Sequence, residues 1–184
     1  MYKVNTGKVE KMIKENPYIG EVNIKRKLPS TMVLEIQERT AEFLIEYAGS
    51  YLYIDKQGYI LEISSEKLEL PILQGTSTVE TEFKPGNRLD KEDLQKIATV
   101  YKIMDSAKTN EIANLITRID IENIDNIKLI FETEEKTAYI GDITNLVTKM
   151  PTIKIILEKE KNIPGEIFVN TDLNKGNAMF REKV

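Results

Sequence analysis

The amino-acid sequence predicts an α+β fold, in which a helix and a β-hairpin are followed by a mixed β-sheet with two main helices. Three observations support this prediction. Apolar residues alternate at period two in several short runs, which is typical of half-buried strands. Two longer segments place apolar residues at helical spacing, and clusters of Gly, Pro, Asn and Asp separate the runs. The composition, 41% apolar and 30% charged, is that of a globular protein.

The first predicted element is a short helix over residues 6–15. Val9, Met12 and Ile13 form one apolar stripe at i, i+3 and i+4. Thr6 is the expected N-cap. The helix should end at Asn16, because the residue before a proline disfavours the helical conformation.

A β-hairpin is predicted next, over residues 17–39. Its two strands alternate in character, with the apolar positions at Val22, Ile24, Met32, Leu34 and Ile36. Pro29 belongs in the connection, because proline cannot donate a hydrogen bond to a strand ladder. A second unit then starts at residues 39–41 without a Gly- or Pro-rich linker. Its first clear feature is a hairpin of residues 51–54 and 59–63, with Gly58 in the left-handed conformation.

The remaining elements follow in order. The clearest helix covers residues 91–106, with Asp90 as N-cap and an apolar stripe formed by Leu94, Ile97, Ala98, Tyr101 and Met104. Strands are predicted at 112–121, 127–132 and 137–140. A second long helix should begin with Asp142 as N-cap and continue through Pro151 with a kink near residue 150. Two short strands, 167–171 and 177–183, end the chain.

Composition narrows the chemistry that the chain can perform. The sequence has no cysteine and no histidine, which excludes disulfides, thiol nucleophiles and the commonest general base. Neither a dinucleotide-binding nor a P-loop motif occurs, so no cofactor is predicted. Carboxylates cluster at three places, Glu35/Glu38, Asp120/Glu122/Asp125 and Glu132/Glu134/Glu135. They fall on polar strand faces or in turns, where charge is expected without catalysis, and none has the spacing of a calcium loop.

Charge is unevenly distributed along the chain. The net charge is −4, yet residues 1–29 hold seven Lys/Arg against three Glu, which leaves −8 on the remainder. An acidic body argues against nucleic acid as the main partner, and a basic end suits a position near anionic lipid headgroups. No run of eighteen apolar residues exists, so no membrane span is predicted.

Three ordered motifs resemble one known family. Between Pro17 and Arg39 the sequence reads P-x-I-x-x-V-x-I-x-R-x-x-P-x-T-M-x-L-x-I-x-E-R. A strand-Asp-Gly-strand hairpin follows at 51–61, and Leu-Pro-x-Leu-x-Gly at 70–75. The three together resemble the FtsQ/DivIB family of bacterial cell division proteins, and Gly141 and Lys149 also fit that family's pattern.

The resemblance implies a division into two domains. Residues 1–39 would be a partial POTRA domain that lacks its first strand and helix, and residues 40–184 the β domain of the family. By the same resemblance the chain would be a fragment of a single-pass membrane protein, on the extracytoplasmic side of the membrane at the division septum. The expected function is a non-enzymatic scaffold that helps regulate septal peptidoglycan synthesis.

The same resemblance implies partners and a binding site. In the family, the C-terminal strand of the β domain binds FtsB, called DivIC in Gram-positive bacteria, which pairs with FtsL. Carried onto this chain, the partner-binding residues are Leu173, Asn177, Ala178, Met179, Phe180 and Arg181. The unpaired POTRA edge gives a further expectation, self-association. Two alternatives stay open: a POTRA-type receptor for extended polypeptides, and a carboxylate-based glycan hydrolase that would depend on Glu122 or Glu132.

Overall fold

The computed structural model describes residues 5–27, 31–170 and 178–183. Its α+β architecture confirms the predicted fold class. The chain begins with helix α1 (Thr6–Ile13), followed by the antiparallel strands β1 (Ile19–Lys27) and β2 (Thr31–Glu38), which form a two-stranded sheet of their own. Asn5, not Thr6, is the N-cap of α1, since its side chain accepts a hydrogen bond from the amide of Lys8 at 3.2 Å.

A nine-stranded sheet contains the other strands. In chain order these are β3 (Ala41–Tyr47), β4 (Ser50–Asp55), β5 (Ile60–Ser64), β6 (Ile72–Gln74), β7 (Arg118–Asp120), β8 (Ile127–Phe131), β9 (Lys136–Gly141), β10 (Gly165–Phe168) and β11 (Met179–Glu182). Helix α2 (Lys91–Thr109) connects β6 to β7 through a 3-10 turn, and helix α3 (Leu146–Lys159) connects β9 to β10.

The spatial order of this sheet is β11-β10-β9-β8-β7-β6-β3-β4-β5. Three neighbouring pairs are parallel, β3–β6, β6–β7 and β9–β10, and the other five are antiparallel. Parallel neighbours need crossover connections; α2 and α3 provide two of them. The sheet is therefore mixed, as predicted.

The two faces of the nine-stranded sheet are covered differently. The main hydrophobic core lies on one face and includes buried residues of both α2 and α3, such as Ile97 and Ile153. The opposite face has a small cluster of Leu44, Tyr53, Leu61 and Ile72 near the β5 edge. Because side chains alternate along a strand, Phe43 and Leu44 are neighbours in sequence and belong to different clusters.

The predicted buried stripe of α2 was wrong in phase. Ile97 and Met104 are buried as expected, but Ala98 and Tyr101 are exposed. The residues that face the core are Asp93, Lys96, Ile97, Val100, Ile103, Met104 and Ala107. Asp93 and Lys96 carry charges, and charged side chains ordinarily face solvent on a helix. They are instead buried by bonds to the preceding loop, including those from the amides of Ser77 and Thr78 to Asp93 at 2.8 Å.

Two further predictions need correction. Residues 112–121 are not one strand, since residues 113–115 form a 3-10 turn and only Arg118–Asp120 pairs in the sheet. Helix α3 begins at Leu146 rather than beside Asp142. The Asp142 carboxylate accepts hydrogen bonds from the amide and the hydroxyl of Thr144, so it closes a local turn and does not cap the helix.

Other expectations are met. Gly58 has a φ of +80°, the left-handed conformation expected for the turn between β4 and β5. Helix α3 continues through Pro151, as predicted; the kink near residue 150 stays a prediction. Among the described residues, no helix has both the length and the apolar character that crossing a membrane requires.

Candidate partner-binding edge

Strand β11 lies at one edge of the nine-stranded sheet. It pairs with β10 alone among the described strands, in antiparallel register with Ile167 opposite Phe180 and Phe168 opposite Met179. Of the six predicted partner-binding residues, the structure places Ala178 just before β11 and Met179, Phe180 and Arg181 on it. Leu173 and Asn177 lie outside the described residues.

The backbone of β11 offers hydrogen-bonding groups toward the open side. The Lys183 amide donates to the Pro164 carbonyl at 2.9 Å, so the main-chain groups of Lys183 point toward β10. In an antiparallel ladder these directions alternate. The groups of Met179 and Arg181 therefore also point toward β10, whereas those of Phe180 and Glu182 point outward. An added strand would find its partners at positions 180 and 182.

On the inner face of this edge, the Phe180 ring packs against Gly165. Phe180 packs against the main core from its margin. A Cβ atom added at Gly165 would lie 2.5 Å from the Phe180 ring, closer than any real contact. Glycine at position 165 therefore lets the ring lie directly over β10, and the edge strand is fixed by an apolar contact as well as by hydrogen bonds.

On the outer face of the edge, aromatic and charged side chains contact one another in a row, which we call the side-chain ladder: Tyr139, Phe168, Glu166 and Arg181. The rings of Tyr139 and Phe168 are stacked, with centroids 4.8 Å apart and 6° between their planes. The Arg181 guanidinium lies 5.1 Å from the Phe168 centroid and forms an ion pair with Glu166. The Tyr139 hydroxyl donates to Glu166 at 2.8 Å. Met179 stands beside this ladder, 56% exposed.

These contacts shift two pKa values. The pKa of Glu166 is held below its usual range, first by the hydrogen bond from Arg181 and then by that from Tyr139. The pKa of Tyr139 is raised, chiefly by its hydrogen bond to Glu166. Arg181 is thus already paired within its own chain, which leaves Met179 and the outward backbone as the groups free to meet a partner.

Sequence reasoning did not single out Tyr139, Glu166 or Phe168. Glu166 and Phe168 lie on the same face as Arg181 and Met179 across the β10–β11 pair. This grouping depends on the register of the two strands, which the sequence does not show. Tyr139 belongs to β9, opposite Phe168 in parallel register, and no local pattern connects residues so far apart.

The opposite edge of the sheet, β5, is already partly occupied. The Ile60 amide donates to the Asn87 carbonyl at 2.9 Å, and the Gly86 amide donates to the Ile60 carbonyl at 2.8 Å. The loop before α2 therefore uses the outward groups at the start of β5. Of the two edges, β11 is the more open along the described chain.

The carboxylates that could have served in catalysis are dispersed. Glu35 pairs with Lys25 at 2.7 Å on the hairpin, and Asp120 pairs with Lys128 at 2.7 Å on the open sheet face. Glu132 pairs with Arg118. Within the described ranges, no three Asp, Glu, His or Cys side chains come together in a group that could hold a metal ion.

The chain is similar to one described family of domains and to division proteins from several bacteria. Residues 1–39 match the family described as POTRA domain, FtsQ-type. The chain is also similar to the cell division protein DivIB of Clostridium tetani, 29% identical over 97% of this chain and 67% of that protein. DivIB of Clostridium acetobutylicum is 26% identical over 98% of this chain and 70% of its own length. The cell division protein FtsQ of Streptomyces bingchenggensis is 29% identical over 84% of this chain and 57% of its own length. The resemblance of this chain to the FtsQ/DivIB family of bacterial cell division proteins is thereby confirmed.

Proposed function

We propose that this chain is a non-enzymatic scaffold of the bacterial division machinery, which binds partner division proteins by adding a strand to the edge formed by β11. The three relatives described above are named cell division proteins, which supports a role in division. The observation that supports the mechanism is the position of β11 at the sheet edge with the backbone groups of Phe180 and Glu182 directed outward. Strand addition uses such groups for affinity and neighbouring side chains for specificity.

The proposed partners are proteins of the FtsB/DivIC and FtsL type, acting at the extracytoplasmic side of the septum in the regulation of peptidoglycan synthesis. The division into a partial POTRA domain at 1–39 and a β domain at 40–184 is part of this proposal. Leu173 and Asn177 are proposed to extend the contact from the segment before β11. Met179 would contribute most of the apolar contact on the outer face, since it is 56% exposed.

A backbone substitution tests strand addition directly. Glu182→Pro removes an outward N–H without removing a bond to β10, whereas Glu182→Ala keeps that N–H. We expect Glu182→Pro to weaken binding to a purified DivIC/FtsL ectodomain pair by tenfold or more, about 1.4 kcal/mol, and Glu182→Ala to change it little. Calorimetric titration measures both. Equal affinity for the two variants would refute strand addition at this edge.

Met179→Ala separates the side-chain contribution from the backbone contribution. The side chain is exposed, so its removal should leave the stability of the chain nearly unchanged. We expect a weaker complex with unchanged thermal unfolding of the free chain. Unchanged binding would exclude Met179 from the interface while leaving the backbone test intact.

Selectivity distinguishes the proposed scaffold from a general receptor for extended chains. A scaffold should bind the division partner and reject a panel of unrelated strand-forming peptides, whereas a receptor should bind many of them weakly. Release of glycan fragments that disappears in Glu122→Gln or Glu132→Gln would instead indicate a hydrolase.

A further inference from the structure

One arginine, Arg39, contacts both the hairpin β1–β2 and the nine-stranded sheet. Arg39 directly follows β2, and its backbone amide donates to the Tyr18 carbonyl at 2.7 Å. Its guanidinium Nη1 donates to the carbonyls of Pro17 at 3.3 Å and Ile19 at 3.0 Å. The residue is therefore fixed to both ends of the hairpin unit.

The same guanidinium contacts the nine-stranded sheet on its other side. Its Nε lies 3.0 Å from Oδ2 of Asp55, a carboxylate only 1% exposed. The other oxygen of Asp55 accepts hydrogen bonds from the amides of Gln57 and Tyr59 in the β4–β5 turn. The guanidinium carbon also lies 3.7 Å from the centroid of the Tyr59 ring.

The burial of Asp55 makes breaking its ion pair with Arg39 energetically costly. A buried carboxylate that loses its charge partner is strongly unfavourable. Along the described chain, Arg39 is the cation within ion-pair distance of Asp55. Swinging the hairpin away from the sheet would separate this pair and leave the carboxylate beside the β4–β5 turn uncompensated.

Tyr18 provides a second and independent contact. Its ring packs against the small cluster of Leu44, Tyr53, Leu61 and Ile72 on the sheet. Its hydroxyl donates to Glu62 on β5 at 2.7 Å. Two contacts at separate points resist rotation as well as separation.

We propose that Arg39 and Tyr18 hold the β1–β2 hairpin at one fixed orientation on the nine-stranded sheet, so that the two move as a single rigid body. The chain passes from β2 to β3 within two residues, and an ion pair and a stacked ring add to the restraint of this short connection. In such a body, a rotation of the hairpin β1–β2 would rotate the nine-stranded sheet by the same angle.

Distance measurements between spin labels test the proposal, and the absence of native cysteine makes labelling simple. Lys27→Cys places one label at the end of β1, and Lys102→Cys places the other on the exposed side of α2. We expect a single narrow distance distribution for the doubly labelled chain. Arg39→Gln in that background should broaden the distribution or add a second peak.

Arg88→Gln is the matched control. Arg88 also approaches the Tyr59 ring, at 5.2 Å, but it donates to the Gln57 carbonyl within the sheet unit and does not bridge to the hairpin. It should leave the distribution narrow, although it removes the same charge. Amide hydrogen exchange of β8 and β9 should be unchanged in both variants, which verifies that the sheet stays folded.

Either of two results would overturn the proposal: a broad distribution in the chain with native Arg39 and Tyr18, or a distribution in Arg39→Gln as narrow as in Arg88→Gln.

If Arg39→Gln does not fold, Arg39→Lys and Tyr18→Phe decide in its place. Arg39→Lys keeps the charge but lacks the planar fork and the stacking surface, and Tyr18→Phe keeps the ring and loses one hydrogen bond. The combined variant must broaden the distribution more than either alone. No partner protein enters the measurement, so the outcome is independent of the proposed binding function.

Discussion

The hairpin β1–β2 and the nine-stranded sheet have the same alternation of apolar and polar residues but differ in what covers the apolar face. In the hairpin, Val22 is the one buried strand residue among those described, while Leu34 and Ile36 are 42% and 46% exposed. In the sheet, Leu129 and Phe131 are completely buried beneath the layer that α2 and α3 supply. Alternation predicts which face is apolar, and only a second layer makes that face a core.

The largest expected effect contrasts one residue from each region. Phe131→Ala in β8 removes a fully buried ring and should lower the free energy of unfolding by about 3–5 kcal/mol. Ile36→Ala in β2 removes a half-exposed side chain and should cost less than about 1 kcal/mol. Urea unfolding followed by circular dichroism measures both. Similar costs at the two positions would show that the hairpin face is covered in solution, and the contrast between the regions would fail.

A smaller effect should appear at the contact between the two regions. The pKa of Tyr18 is raised to about 12, first by burial and then by the hydrogen bond to Glu62. Because the folded pKa lies above the unfolded value near 10, the protonated phenol contributes stability that is fully present below pH 10. That contribution is lost as the pH rises from 10 through 12.

Tyr18→Phe should therefore cost about 0.5–1.5 kcal/mol at pH 7, and it should flatten the fall in stability between pH 10 and pH 12. Urea midpoints across that range provide the measurement. Glu62→Gln is the control, since it keeps an oxygen acceptor and removes the charge, and it should give an intermediate slope. A slope unchanged by Tyr18→Phe would mean that another group is responsible.

The smallest expected effect concerns the open face of the nine-stranded sheet. Arg118 donates to Glu46 at 2.8 and 3.0 Å and to Glu132 at 2.5 Å, and these hydrogen bonds hold the pKa values of both carboxyls below their usual range. A lowered folded pKa contributes stability above the unfolded value near 4.5, and this stability is lost as the pH falls through the folded pKa.

Arg118→Gln should consequently reduce the loss of stability between pH 5 and pH 3, by less than about 1 kcal/mol, because the two carboxylates are 44% and 43% exposed and water screens the pairs. Urea unfolding at the two pH values measures the difference. A much larger effect would mean that the sheet depends on its polar face as well as on its core.

Sequence reasoning located most strands because their patterns are local. The hairpin strands and the turn at Gly58 depend on alternation and on one glycine, both visible within ten residues. The prediction of one strand over 112–121 was wrong for a physical reason. The alternation of apolar residues continues through residues 113–115, but the backbone forms a 3-10 turn there, just after Glu111 at a φ of +61°. The start of α3 was misplaced because Asp142 is an ordinary capping residue that bonds within a turn instead.

The candidate site was predictable only in part. The position of the last strand at the edge follows from its place in the chain and from its charged end, but its register on β10 does not. That register determines which amides point outward. Because the Glu182 amide points outward and the Met179 amide points toward β10, a proline at position 182 tests strand addition more directly than a proline at position 179. The Arg39–Asp55 pair was not predicted. Arg39 ends the first of the three sequence motifs and Asp55 lies in the second, but neither motif shows that the two side chains meet.

The neighbour of β11 has a consequence for the order of folding. β10 and β11 form a two-stranded unit of the kind that is marginal alone in water, and β10 reaches its place beside β9 only after α3 has crossed the sheet. Ile167 is buried in the main core and Phe180 packs against it, so the burial of both depends on that arrangement. Under the proposed function, a partner that binds at the β11 edge would therefore select chains in which the sheet is complete.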